Sequence, residues 1–488
     1  MKKMKMLGLA SLFVLGFTGF AQAAEIKATG AFQIDSYWNN SMNFTTLDKD
    51  KSFHIEQRIR TAFQFIANEN LKGVLETQIG SNSWGNGLYQ ISAGRTPNDT
   101  ATGSNSAGNG NIMLRKGYID FKWPDTKVNF LVGFQTVALP AAFGGGSAIL
   151  DDQVGAAVVS TPITDNVKLL AGYARPYDAN NFGSTANVAG NGTQGDVAFA
   201  AVPVDFSGFN ITPFAAYMYA GRQAAGTNAG PATTIGFNSF GANASVGARG
   251  YWGGVAFTMT ALEPFKVMAD FNYGKVTYSN YTLPDSTDGG RQGWLFDLAV
   301  DYTGLSMMTP EVYFVYTSGN GKNDDKDGRM PVMGNPQSWT INNSFFFSDR
   351  NLISGNNTNA NGGSNGGGTR NSMGFWATGF ALKDIKLFDN FSHTVNVMYV
   401  KGTNDHDAIA RSVNRNYGVM LTDKDSLFEI DLQNKYKIYQ GLDLILDLGY
   451  INADIDKDTW RQVNANYGND DMLTKNAYRV ALGLKYTF

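Results

Sequence analysis

The sequence predicts an all-β chain folded as one antiparallel, up-and-down transmembrane β-barrel. Three observations lead there. Apolar and polar residues alternate with a period of two along many segments. The polar connections between those segments alternate between short and long. The composition joins many aromatics, 13 %, to few charges, 17 %. An apolar content of 43 % excludes a disordered chain. No run beyond the first two dozen residues holds about 18 consecutive apolar positions, which excludes a helical membrane bundle. The absence of cysteine excludes disulfides, thiolate metal sites and cysteine catalysis. A net charge of −3 offers nothing to nucleic acid.

Residues 1–23 read as a secretory signal peptide. Lys2, Lys3 and Lys5 form its basic start, Leu7 to Phe20 its apolar stretch, and Ala21-Gln22-Ala23 a small-x-small cleavage site. Residues 24–488 are expected to form a single barrel domain. Eighteen strands are expected, near 26–38, 53–67, 71–83, 112–122, 127–136, 153–162, 167–177, 196–204, 209–220, 248–262, 265–279, 293–302, 311–319, 373–384, 391–402, 426–439, 442–453 and 475–488. Sixteen is the alternative, should 153–162 and 167–177 be misjudged. Short turns at Asn68-Glu69-Asn70, Trp123-Pro124-Asp125-Thr126 and Gln440-Gly441 mark one end. Long Gly- and Asn-rich loops such as Arg222–Gly247 and Gly321–Ser372 mark the other and read as external.

The last strand shows the alternation most clearly. Tyr478, Val480, Leu482, Leu484, Tyr486 and Phe488 fall on one face, and Arg479, Gly483 and Lys485 on the other. Near the start, Phe53, Ile55, Ile59, Phe63 and Phe65 alternate with His54, Glu56, Arg58, Arg60 and Gln64. Arg or Lys held against mid-bilayer lipid costs about 2–4 kcal/mol. The charged face is therefore expected to be a wet lumen, and the apolar face to meet lipid or a neighbouring subunit.

Arg58 and Arg60 share the lumen face about 7 Å apart, with Lys72 on the next strand. Two readings stand: a cationic ladder facing a constriction, or a wall-stiffening salt-bridge network with Glu56 and Glu76. The acidic run Asn323 to Gly328 partly resembles a calcium loop, but its twelfth position is Gly334, where a bidentate Glu is needed. No metal and no cofactor are expected. The three histidines give no Ser/His/acid set, so no enzyme activity is expected.

The chain resembles the trimeric porins of Gram-negative outer membranes, and most of all the homotrimeric porins of sulfate-reducing bacteria. The likeness rests on Ala24 to Gly30, Ala67 to Lys72, the turn Trp123 to Thr126, Val137 to Pro140, Gly172 to Pro176 and the last strand. It implies a homotrimer in which each subunit holds its own water-filled pore. It also implies that Tyr486 and Phe488 form the signal read by the barrel-assembly machinery. General porins fold their third loop into the barrel. Here that loop spans about 137–152, and Ala142-Phe143-Gly144-Gly145-Gly146 resembles the Pro-Glu-Phe-Gly-Gly-Asp element of that family. Ala142 and Gly146 stand where the family has acids, which leaves Asp151 and Asp152. The other reading of this stretch is a Gly-rich external loop without a pore role.

The expected function is passive diffusion of small hydrophilic solutes and ions across the outer membrane, among outer-membrane lipid and lipopolysaccharide. A solute-selective channel for oxyanions or saccharides is the alternative, followed by an adhesive or structural envelope protein.

Overall fold

A computed structural model of the chain describes residues 25–40, 44, 52–85, 112–178, 194–221, 247–278, 290–322, 328–333, 339–348, 374–408, 421–462 and 476–488. The expected signal peptide and the acidic run at 323–327 lie outside these residues.

The first part of the wall comprises β1 (Glu25–Asn40), β2 (Ser52–Asn68), β3 (Leu71–Ser83), β4 (Met113–Lys122), β5 (Asn129–Ala138), β6 (Asp151–Pro162) and β7 (Lys168–Asp178). It continues with β8 (Gln194–Ala201), β9 (Val204–Phe206), β10 (Phe209–Ala220), β11 (Ala248–Leu262), β12 (Phe265–Tyr278) and β13 (Arg291–Tyr302). The remainder is β14 (Thr309–Thr317), β15 (Phe375–Phe388), β16 (Phe391–Gly402), β17 (Ser426–Tyr439), β18 (Leu442–Asp454) and β19 (Asn476–Thr487). Each strand pairs antiparallel with its sequence neighbours, except that β8 and β9 do not pair with each other, and β19 pairs with β1 to close the barrel. β8 and β9 are two halves of one stave, since both pair with β10 on either side of Val202-Pro203. Proline cannot donate to a ladder, so the stave breaks there. The wall therefore has eighteen staves, the larger of the two expected counts.

Tight turns join the staves at one end. Asn390 and Gly441 take left-handed φ values of 64° and 84° in two of these turns, conformations that suit Asn and Gly. The outer face is apolar and open: Phe65, Val132, Phe271, Ile430 and Leu482 are each at least 40 % exposed. On the inner face, Asp35, Arg58, Gln78, Asp297, Glu429 and Arg479 are buried or nearly so. The alternation thus puts charge inside, the reverse of a water-soluble barrel.

Three expectations need correction. The fifth stave runs on to Ala138 and the sixth begins at Asp151, so the third loop is residues 139–150. Asp151 and Asp152 belong to β6, paired with Ala138 and Val137, and are not loop residues. The charge-in rule also fails on one side, where Val154, Val158, Val197, Phe199 and Met218 point inward and are buried. Finally, residues 329–333 and 339–347 of the stretch Gly321–Ser372 are not external. Met330, Val332, Met333, Trp339, Ile341 and Phe345 are all buried in the same apolar cluster as the third loop. Two chain segments inside the barrel explain why one half of its inner wall is apolar.

Candidate functional site

The lumen has two unlike sides. One is filled by the third loop and by a second inserted segment, residues 328–333 and 339–348. The other is a polar wall built by β1 to β4.

The third loop enters at Leu139, whose N–H donates to the Leu150 carbonyl at 3.0 Å and closes the loop's neck. Val137, Leu139, Phe143, Ile149 and Leu150 bury against the inward apolar side chains of the wall. At the tip, the Ala142 and Phe143 N–H groups donate to the Asp270 carboxylate of β12, each at 2.8 Å to one of its oxygens. Gly144 and Gly145 then turn the chain at φ values of 80° and 77°, which a side chain would strain. The Gly144 carbonyl accepts from the Thr340 N–H at 2.9 Å, which ties the loop to the second insert. A Cβ on Gly144 would lie 2.5 Å from the Trp339 ring.

The second insert is fixed from several staves. Arg291 on β13 donates through Nε to the Arg329 carbonyl and through Nη2 to the Met330 carbonyl, both at 2.7 Å. Trp252 on β11 donates to the Pro331 carbonyl at 2.8 Å. A short helix, α1 (Phe345–Ser348), starts against Glu429 of β17. The Glu429 carboxylate accepts from Ser344 Oγ and from the Phe345 and Phe346 N–H groups at 2.8 to 3.2 Å. Glu311 on β14 accepts from Asn342 at 2.8 Å and pairs with Lys383, which also pairs with Asp301.

The acids near the loop tip are therefore on the wall, and the loop supplies backbone donors. General porins place acids on the loop element itself; here Ala142 offers its amide instead. A cavity of about 500 Å³ opens beside the tip, lined by Phe143, Gly144, Thr340, Asn342, Lys383 and Gln433 among others.

On the polar wall, Arg58 donates to Gln33 at 2.7 Å and Arg60 to Gln78 at 2.8 Å. Glu76 takes Arg115 and Lys116, each at 2.8 Å. Arg115 is the extra residue where the register slips between Glu76 and Thr77. Such a bulge lets two consecutive side chains reach one partner. Glu56 accepts from the Tyr37 hydroxyl at 2.9 Å, and Lys72 pairs with Asp120 at 3.2 Å.

The structure thus brings Arg58, Arg60 and Glu76 to one inner surface and adds Arg115 and Lys116. Lys72 is engaged separately with Asp120. No ion pair joins Arg58 or Arg60 to Glu56 or Glu76 among the described residues. Their hydrogen-bond partners are neutral glutamines, with Asp35 and Glu56 near Arg58 and Glu76 near Arg60. Arg115 and Lys116 were missed on this wall by sequence reasoning, because the bulge breaks the period-two count. Asp152 lies on the face of Val137, and Asp151 by parity on the other.

No family model matches the chain, and no curated protein matches it. Solved structures do. Pseudomonas aeruginosa OccK11 (OpdR) aligns over 97 % of this chain and 99 % of its own, with a TM-score of 0.51 at 10 % identity. The outer membrane protein OprD from the same organism aligns over 96 % and 95 %, with a TM-score of 0.49 at 12 % identity. OccK8 (OprE) covers 95 % and 98 %, also at 0.49 and 12 %. The first of these likenesses shows a shared fold, that of an outer-membrane porin barrel.

Proposed function

We propose that the chain is a water-filled diffusion channel of the general porin type, passing small hydrophilic solutes and ions across the bacterial outer membrane. One observation carries the reading. The barrel is apolar and exposed outside, and inside it sets a wall of hydrogen-bonded arginines opposite an inserted loop. Lipid suits the first surface, and only water suits the second. The inserted segments narrow the lumen on one side and leave the arginine side as the path. Addition of the purified protein to planar bilayers should give stepwise conductance that rises in proportion to salt. A structural or adhesive envelope protein would give none.

A selective channel for anionic solutes is the second reading, favoured by the glutamine partners of Arg58 and Arg60. Amide partners orient a guanidinium without cancelling its charge, and on this wall the cations Arg58, Arg60, Arg115 and Lys116 outnumber the acids Asp35, Glu56 and Glu76, which leaves a positive field. Such a channel would saturate with its solute, and a general porin would not. Assembly as a homotrimer is part of the proposal and is tested by the mass of the detergent-extracted particle.

A further inference from the structure

We propose that the outward face of β11 and β12, at their long-loop ends, binds the phosphate of a phosphorylated glycolipid of the outer leaflet. The proposal rests on the outer-membrane reading above and assigns a lipid site on that barrel's surface.

Arg249 and Lys275 carry the site. Arg249 lies opposite Thr277 and Tyr251 opposite Lys275, so the two cations are diagonal neighbours on one face. Diagonal positions lie about 7–8 Å apart, close enough for both side chains to reach one phosphate. Their face is the outer one. Trp252, the next residue after Tyr251, points inward to the Pro331 carbonyl, and a Cβ on Gly274 opposite it would meet the Trp252 ring at 2.6 Å. Arg249 is exposed and Lys275 half-exposed. No ion pair joins either to an acid among the described residues. Asp196 is in the same transverse row, through Tyr219. It stands two strands away, about 10 Å, and is already held by Arg175 at 2.8 Å.

The surroundings fix the depth. One step toward the middle of the barrel, Tyr251 pairs with the Tyr217 ring at 5.1 Å. Next come Tyr273 and Trp294, opposite each other, and Trp294 stacks on Tyr316 at 4.7 Å. Tyr and Trp gather at the headgroup level of a membrane. Outward cations are costly at mid-bilayer and cost almost nothing at the interface. Cations just beyond an aromatic row therefore sit among lipid headgroups, and the long-loop end faces the outer leaflet. An arginine fork beside a lysine suits a phosphate, which accepts bidentate and point-charge donors together. A second copy of the chain would instead have to bring an acid to this place.

The test is native mass spectrometry of the purified barrel in detergent with added bis-phosphorylated lipid A, for wild type and for R249Q/K275Q. The wild type should hold the lipid, and the variant should hold it about tenfold less. Lipid A stripped of phosphate should bind both weakly. Single-channel conductance should be the same in both proteins, which shows that the variant is folded and keeps the test apart from the channel reading. Equal retention by wild type and variant would overturn the proposal. So would equal binding of the dephosphorylated lipid, or a change in oligomer mass with lipid binding unaltered.

Discussion

The Asp270 carboxylate on β12 accepts the backbone N–H of Phe143 at 2.8 Å, so a wall residue holds the tip of a loop that enters from β5. A second oxygen contact goes to Ala142. Two amides converging on one carboxylate form an anchor, because each hydrogen bond contributes about 0.5–1.5 kcal/mol. Asp270→Asn turns one acceptor into a donor facing those amides. The tip should loosen, and single-channel records should show larger and noisier conductance than wild type. Unchanged conductance and noise would mean that the loop is held by its apolar packing alone.

Gly144→Ala should act at the same place from the other side. The added methyl meets the Trp339 ring and sits at a left-handed φ. Left-handed backbone costs a non-glycine residue about 1–2 kcal/mol. The contact between the two inserts should open, with conductance rising while the heat-induced unfolding of the barrel changes little. A fall in conductance would show that the tip moves into the path instead.

Phe488 belongs to the finished seam as well as to any assembly signal. Its N–H and carbonyl pair with Gly30 at 3.1 and 3.0 Å, and its ring lies about 6.0 Å from those of Phe32 and Tyr486. Aromatic pairs add about 0.5–1.5 kcal/mol each. Phe488→Ala should reduce the amount reaching the membrane and also lower the temperature at which the folded band disappears on unboiled gels. Normal membrane levels would remove the assembly role, and an unshifted temperature would remove the seam role.

Asp456 caps the short helix α2 (Lys457–Arg461) in the connection that follows β18. Its partial burial would raise its pKa, but hydrogen bonds from Thr459 and the nearby Lys424 outweigh that and hold it below the usual carboxylate range. A lowered carboxylate stabilises the fold above its ordinary value and ceases to as pH falls through the lowered one. Amide exchange at Thr459, corrected for intrinsic rates, should be slow at neutral pH and speed up only in strong acid. Asp456→Asn should abolish that pH dependence. Exchange that is already fast at neutral pH would contradict the cap.

The staves were legible because one face of each meets lipid and the other meets charge. Leu482, Leu484 and Tyr486 against Arg479 and Lys485 give an unambiguous strand. β6 and β7 were harder: Val154, Val158 and Ala174 face inward, so both faces read as apolar. The cause is tertiary, since the inserts pack there. The third loop was legible through Phe143 and its glycines, but its acid partner was not, because Asp270 is 127 residues away from Phe143 in the chain. The second insert did leave a signal. Met330-Pro331-Val332-Met333 and Phe345-Phe346-Phe347 are apolar clusters inside a polar connection. Apolar residues of that density have no reason to face water.

Ions are expected to pass along the arginine wall of β2. This path is tested most directly by reversal potentials across a bilayer with a low-salt KCl gradient, for wild type and for Arg58→Ser/Arg60→Ser. The wild type should favour chloride, and the double variant should shift toward potassium. The shift should shrink as salt rises, because the Debye length falls from about 10 Å at 0.1 M to about 3 Å at 1 M. Asp152→Asn should move the potential toward chloride, and Asp151→Asn, on the opposite face, should move it less. Identical reversal potentials for wild type and the arginine variant at low salt would place the conducting path elsewhere and contradict the account.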